Sequence, residues 1–249
     1  MMIGSSAVTR VALVAGLTIF TAAQARAVAF TLEVLQNGQP VGSFDAGQLG
    51  CVDNADGVRA QCTGKVRAGN LGVDLSGGLD IDSDPSVSGV VAVDNNSNST
   101  GLFTMIFSLP VAPIGPSTLT GGSMAGGVTD NNGNGATLST NGPGSAFYTA
   151  LIDNAVYQTL LNHPTSAVVP PTSPYESQDL PSAAFGVPIP SQPGPAVASK
   201  IGIQFDFSLT PGDAASFNGV FVVSQVPEPT TGILMGLGLL GLGWAARRR

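Results

Sequence analysis

Asp130-Asn131-Asn132-Gly133-Asn134-Gly135 is the stretch whose residue types and spacing come nearest to a chemical site. It matches the first half of a calcium loop, D-x-[DN]-x-[DN]-G, where oxygens at alternate positions meet a hard cation and the glycine allows a sharp turn. Asp130, Asn132 and Asn134 are the candidate ligands, and calcium the candidate ion. Asn141 stands where such a loop carries its bidentate Glu, so the match fails where affinity is largely set. The same composition also suits plain turns, because Asn, Asp and Gly tolerate left-handed backbone. Asp80, Asp82 and Asp84 form a second acidic cluster, and on a strand their alternate spacing projects them from one face.

Other chemistry has few residues to work with. His163 is the sole histidine, no GxSxG nucleophile elbow occurs, and Glu33 and Glu176 are the only glutamates between residues 28 and 226. Zinc sites need more His and Cys than this chain has. The reading is of a non-enzyme with no resident cofactor apart from the calcium candidate. Charge excludes a further class. Between residues 28 and 226, Arg59, Lys65, Arg67 and Lys200 stand against fifteen Asp and Glu, a net of about −11. Nucleic acid, whose phosphates require a basic patch, is not an expected partner. A sugar-binding module is an alternative, but aromatic platforms are scarce. Trp244 lies in the C-terminal tail, leaving Tyr148, Tyr157 and Tyr175.

The elements that would position these residues are mostly strands. Gly (33) and Pro (18) are abundant and only 10% of residues are charged, which favours short strands over long helices. Ile201, Ile203, Phe205, Phe207 and Leu209 alternate with polar residues, and after Thr210-Pro-Gly-Asp213 a second strand points Phe217, Phe221 and Val223 inward. This pair reads as the strongest hairpin. Val87–Asp94 with Thr100–Leu109, the latter burying Phe103, Met105, Phe107 and Leu109, reads as another. So do Phe30–Val34 with Val41–Phe44 around Asn37-Gly38, and Leu119–Val128 with Gly135–Ser139. The fold class is therefore mainly β: an antiparallel β-sandwich, jelly-roll or Ig-like, over residues 28–226. One helix is expected at 145–162, capped by Ser145, with Tyr148, Ile152, Ala155 or Val156, and Leu160 at helical spacing and Pro164 as its stop. His163 would then cap its last carbonyls. Residues 164–199, rich in Pro and Ser, read as a long loop.

The two ends concern transport. Residues 1–27 have the three parts of a secretory signal: Arg10, the apolar run Val11–Ala23, and the small-x-small sites Ala23-Gln24-Ala25 and Ala25-Arg26-Ala27. A retained anchor is disfavoured, because the run is short and a cleavage site follows it. At the other end, Pro227-Glu228-Pro229 precedes Thr230–Ala246, 17 uncharged residues that are about the shortest helix able to span a membrane. Arg247, Arg248 and Arg249 then form a basic anchor that stays cytoplasmic. In an exported chain, Cys51 and Cys62, the only cysteines, read as one disulfide; redox-active thiols are the alternative, without a CxxC to support them.

Residues 227–249 resemble the PEP-CTERM sorting signal of Gram-negative bacteria, through Pro227-Glu228-Pro229, the glycine-rich apolar run and the terminal arginines. The resemblance implies exosortase and the export machinery as partners. It implies passage across the inner membrane, transient anchorage there, and cleavage near the motif on the way to the cell surface or extracellular matrix. Glu228 is then a recognition residue of a substrate. Two prolines keep the segment extended and outside the following helix. Asp84-Pro-Ser-Val-Ser-Gly89, Phe107–Ile114 and Phe207–Asp213 are similar to the ectodomain common among PEP-CTERM proteins, which implies no biochemical activity. Extracellular polysaccharide is a further candidate partner.

Overall fold

A computed structural model describes residues 29–55, 58–82 and 85–226. The expected signal (1–27), Pro227-Glu228-Pro229, the membrane segment 230–246 and Arg247, Arg248 and Arg249 lie outside these residues, as does Asp84. Nineteen strands are described and no helix. In chain order they are β1 (Thr31–Gln36), β2 (Gln39–Asp45), β3 (Cys51–Asp53), β4 (Arg59–Cys62), β5 (Lys65–Ala68), β6 (Leu71–Asp74), β7 (Leu79–Asp82), β8 (Ser86–Asn95), β9 (Gly101–Pro110) and β10 (Thr118–Asp130). There follow β11 (Ala136–Ser139), β12 (Ala146–Ile152), β13 (Ala155–Asn162), β14 (Ser166–Val169), β15 (Glu176–Asp179), β16 (Ala183–Phe185), β17 (Gln192–Gly194), β18 (Lys200–Leu209) and β19 (Ala214–Gln225).

All pairings are antiparallel and fall into two sheets. One runs β13-β12-β18-β9-β1-β2, with β11 beside β18 and β14 outside β11. The other runs β15-β10-β19-β8-β7-β4-β3, with β16 and β17 also on β10 and β6 beside β8. Their inward faces share one core. Phe103, Met105, Phe107 and Leu109 of β9, the five alternating apolar residues of β18, and Phe217, Phe221 and Val223 of β19 are all buried, as the alternation requires. Phe217 of one sheet lies between Phe205 and Phe207 of the other, with ring centroids 5.2 and 4.8 Å away. Each such ring contributes roughly 1.5–3 kcal/mol by leaving water. Tyr148 crosses the core and donates to Val220 O at 2.8 Å. Gly122 makes room for it, since a Cβ there would sit 2.7 Å from the Tyr148 hydroxyl.

The helix expected at 145–162 is instead the hairpin β12–β13. Of the residues at helical spacing, Tyr148, Ile152 and Leu160 are buried and Val156 is 68% exposed; the step of four from Tyr148 to Ile152 satisfies a period of two as well as one of 3.6. Two facts settle the matter. Phe, Tyr, Thr, Ile and Val, which prefer strands, supply seven of the segment's eighteen residues. Asp153 and Asn154 both hold left-handed backbone (φ 51° and 67°), which makes the two-residue turn that matches strand twist. Ser145 donates its hydroxyl to Gly142 O and does not cap a helix. His163 likewise caps nothing helical: its backbone N–H donates to Ser145 O across the strand pair. The expected loop 164–199 holds the four short strands β14 to β17.

The Asn37-Gly38 hairpin forms as expected, with φ of 52° and 75° at the turn. The other three expected hairpins do not pair with themselves. β8–β9, β10–β11 and β18–β19 each pass from one sheet to the other. Alternation shows which side chains face inward, but an arch between sheets and a hairpin within one give the same alternation.

Candidate functional site

The three arches come together at one end of the body. Asn95, fully buried at the end of β8, donates its amide to Ser99 O, Leu209 O and Thr210 O, at 3.0, 2.8 and 3.2 Å. Its side-chain oxygen accepts from the Ser97 hydroxyl at 2.7 Å. The Gly212 amide donates to Asn95 O, and the Asn95 amide donates to Asp213 O. Asn131 reaches across from the third arch to Gly212 O at 3.3 Å.

The candidate calcium loop is this third arch. Asp130 is buried, and its carboxylate accepts the amides of Asn132, Gly133 and Gly135 at 3.1, 2.8 and 2.7 Å. Asn132 Oδ1 accepts the Asn134 amide at 3.0 Å. Burial pushes the Asp130 carboxyl upward, but the amides of Gly135, Gly133, Asn132 and Asn134 together outweigh it and hold it below the usual carboxylate range. Asn141 is engaged elsewhere, donating to Phe103 O on β9. Beside Asp130 the fold brings Asp213, also fully buried. Its Oδ2 accepts the Thr210 hydroxyl at 2.6 Å, while Oδ1 has no hydrogen-bond partner. Burial raises the Asp213 carboxyl, and the Asp130 charge adds to that; the Thr210 hydroxyl and the Asn131 amide pull the other way. Sequence reasoning missed Asp213 and Asn95. Each sits where only a turn is signalled, and nothing in the spacing brings either to Asp130. Among the described residues no group of three or more His, Cys, Asp or Glu is placed to hold a metal.

The remaining candidates separate. Asp80 and Asp82 do share a face: Asp80 accepts from Gln61 at 3.1 Å and Asp82 pairs with Arg59 at 2.8 Å, both across β4–β7. Beside them, Lys65 pairs with Asp74 and holds its carboxyl down at about 2. These pairs pin strands on an exposed flank. Cys51 and Cys62 form a disulfide between directly opposed residues of β3 and β4. His163 Nδ1 lies 3.0 Å from the Thr140 hydroxyl, and no hydrogen bond or ion pair to a carboxylate is among its described contacts. Of the three tyrosines, Tyr148 is buried. Tyr157 packs on Phe185 and Phe221 with its hydroxyl on Thr120, and Tyr175 alone is exposed (77%).

At the opposite end of the body lies the junction with the tail. β19 runs to Gln225, and the Val226 amide donates to Ser117 O at 2.9 Å. Pro227 is the next residue. An open groove of about 520 Å³ flanks the junction, lined by Pro85, Ala112, Pro113, Ile114, Pro190 and the Val222–Gln225 end of β19. The described residues hold no helix long and apolar enough to cross a membrane.

Residues 225–249 match the PEP-CTERM protein-sorting motif. The tail is that motif, and it marks the chain as an exported exosortase substrate, anchored to the membrane before sorting. Comparison with curated proteins gives no match. Among solved structures, TmCBM61 in complex with beta-1,4-galactotriose is 12% identical over 63% of this chain and 83% of that chain, with a TM-score of 0.27.

Proposed function

We propose that this chain is a non-catalytic surface protein, displayed outside the cell as a β-sandwich of jelly-roll or Ig-like type. On this reading residues 1–27 are removed during export. Residues 230–246 hold the body at the inner membrane as a helix, with Arg247, Arg248 and Arg249 on the cytoplasmic side. Exosortase then cuts near Pro227-Glu228-Pro229, and the body passes to the cell surface or extracellular matrix, where polysaccharide is a candidate contact. The observation that carries the reading is the junction: the matched motif begins at Gln225, where the last strand ends, and only Val226 separates that strand from Pro227. The scarcity of catalytic residue types favours a structural or adhesive role over an enzymatic one. Mass spectrometry of the exported protein tests it by its new termini, one after Ala25 or Ala27 and one near Pro229. Surface material that retains Arg249 overturns the reading. Replacing Pro227, Glu228 and Pro229 by alanine should leave the protein in the inner membrane.

A second reading, calcium binding at the Asp130 loop, is favoured by the unpartnered Asp213 Oδ1 beside it. Asp213 would supply the acidic oxygen that Asn141 does not, with Asn132 and Asn134 as amide ligands. A calcium titration of the melting temperature tests this: an upward shift that Asp213→Asn abolishes supports it, and no shift in the native protein ends it. A glycan array gives the corresponding test of carbohydrate binding.

A further inference from the structure

The body ends so close to the sorting motif that its position at the membrane is constrained. The Val226 amide is fixed to Ser117 O, and only Pro227, Glu228 and Pro229 separate it from the apolar run that begins at Thr230. Three extended residues reach at most about 10 Å. Resting on the reading that residues 230–246 span the bilayer, this holds the end of the body bearing Val226 against the membrane surface.

That end has the composition of a surface meant to meet lipid. Two loops form it with the end of β19. Residues 111–117 and 186–197 are joined by the bridge between Ile114 and Val197, and Thr118 pairs with both Gly194 and Gln225. No charged side chain occurs in residues 107–129, 183–199 or 214–226. Val187 is 67% exposed, and Ile189 and Val226 are each 37% exposed. Prolines between Pro110 and Pro116 and between Pro188 and Pro195 leave few amide donors needing water. Among the described residues the charged neighbours are Asp153, Lys200 and the Arg59–Asp82 ion pair, which the register Asp82–Ser86–Val222 brings to the same end. The Asp153 carboxylate is taken up by the amides of Ala198, Ser199 and Lys200, and a lysine suits anionic headgroups. At the opposite end Asp94 is exposed, and an anionic leaflet would repel it.

We propose that the rim carrying Val187, Ile189 and Val226 is a membrane-docking surface, whose partner is the headgroup and acyl boundary of a phospholipid bilayer. Shallow insertion of these side chains buries apolar surface and sets the body upright, arches outward, while the tail is intact. Once the tail is cut the tether is gone, and a patch this small holds the body only weakly.

The test uses the full chain in vesicles of phosphatidylethanolamine and phosphatidylglycerol, with no exosortase present. A fluorophore sensitive to its surroundings is attached at Ile189→Cys or, for comparison, at Asn96→Cys in the arch end. Spin-labelled lipid should quench the probe at 189 several-fold more than the probe at 96, with a blue-shifted emission at 189. A second form carries a long Gly-Ser insertion between Val226 and Pro227, which removes the constraint of the short tether. Docking by the rim predicts that the difference between 189 and 96 survives the insertion, and that adding Val187→Ser abolishes it. Equal quenching at the two sites, with or without the insertion, overturns the proposal and leaves a protein surface such as exosortase as the alternative partner. A chain that does not float with the vesicles overturns the membrane-span reading itself, and the docking proposal falls with it.

Discussion

The two ends of this body are built on opposite principles. At the arch end, three crossovers bury Asn95, Asp130 and Asp213, and almost every polar atom there is matched by another from the same end. At the tail end, proline-rich uncharged loops surround an open groove; exposed apolar side chains occur at both ends, Val187 and Val226 here and Leu102 and Tyr175 at the other. A protein that connects two sheets must satisfy the backbone of its crossovers, and the arch end does this with side-chain hydrogen bonds. The tail end meets the same need by using proline, which has fewer donors to satisfy. The arch end thus satisfies its polar groups internally, Asp213 Oδ1 excepted, whereas the tail end limits their number, on the side where the sorting motif leaves the fold.

That contrast can be broken most directly at Asn95. Asn95→Ala removes donors to three carbonyls at once, and should destabilise the body by about 2–4 kcal/mol in urea unfolding. A change below about 0.5 kcal/mol would mean that the arches hold without it. Next in size is Gly122→Ala, midway between the ends, whose new methyl would meet Phe185, Tyr148 and Val220 O at 2.6 to 2.8 Å. Overpacking of this kind costs about 1–3 kcal/mol, read as a lowered urea midpoint with an unchanged slope.

The pH dependence sharpens the arch end further, because its two carboxylates act with opposite sign. Asp130 is held below its unfolded value near ~3.9, so it stabilises above that pH and the stabilisation fades as pH falls through its folded value. Asp213 is raised in the fold, so its contribution is full below the unfolded value and is lost as pH rises through the folded one. Asp130→Asn should therefore lower the melting temperature at neutral pH, by a margin that shrinks in acid. Asp213→Asn should raise it at neutral pH and lose that advantage near pH ~4. Parallel melting curves for the two variants across pH would contradict the assignment. The smallest effect is expected at the tail end: Val187→Ser, at an outward-facing position, should change stability by less than about 0.5 kcal/mol.

Much of the inward-facing set was legible from alternation. Phe103 to Leu109 and Ile201 to Leu209 are buried as the period of two requires, and Asn37-Gly38 closes the hairpin its dipeptide signals. The segment 145–162 was misread because the step of four from Tyr148 to Ile152 fits both periods, and the turn at Asp153-Asn154 lacks the glycine that usually advertises a hairpin. The acidic pair at the arch end was half legible. Asp130 has a motif; Asp213, some eighty residues later in a Pro-Gly-Asp turn, has none.

The sorting motif and the alternation that fills the core were legible from the sequence alone. Sorting signals are contiguous segments read by their types and order, and side-chain alternation depends only on local backbone geometry. Tertiary structure alone decided which sheet each strand joins, that three expected hairpins are arches, and that Asn95, Asp130 and Asp213 meet at one end while the tail leaves from the other. Those outcomes depend on pairings between residues far apart in the chain, and alternation is the same whichever partner a strand finds.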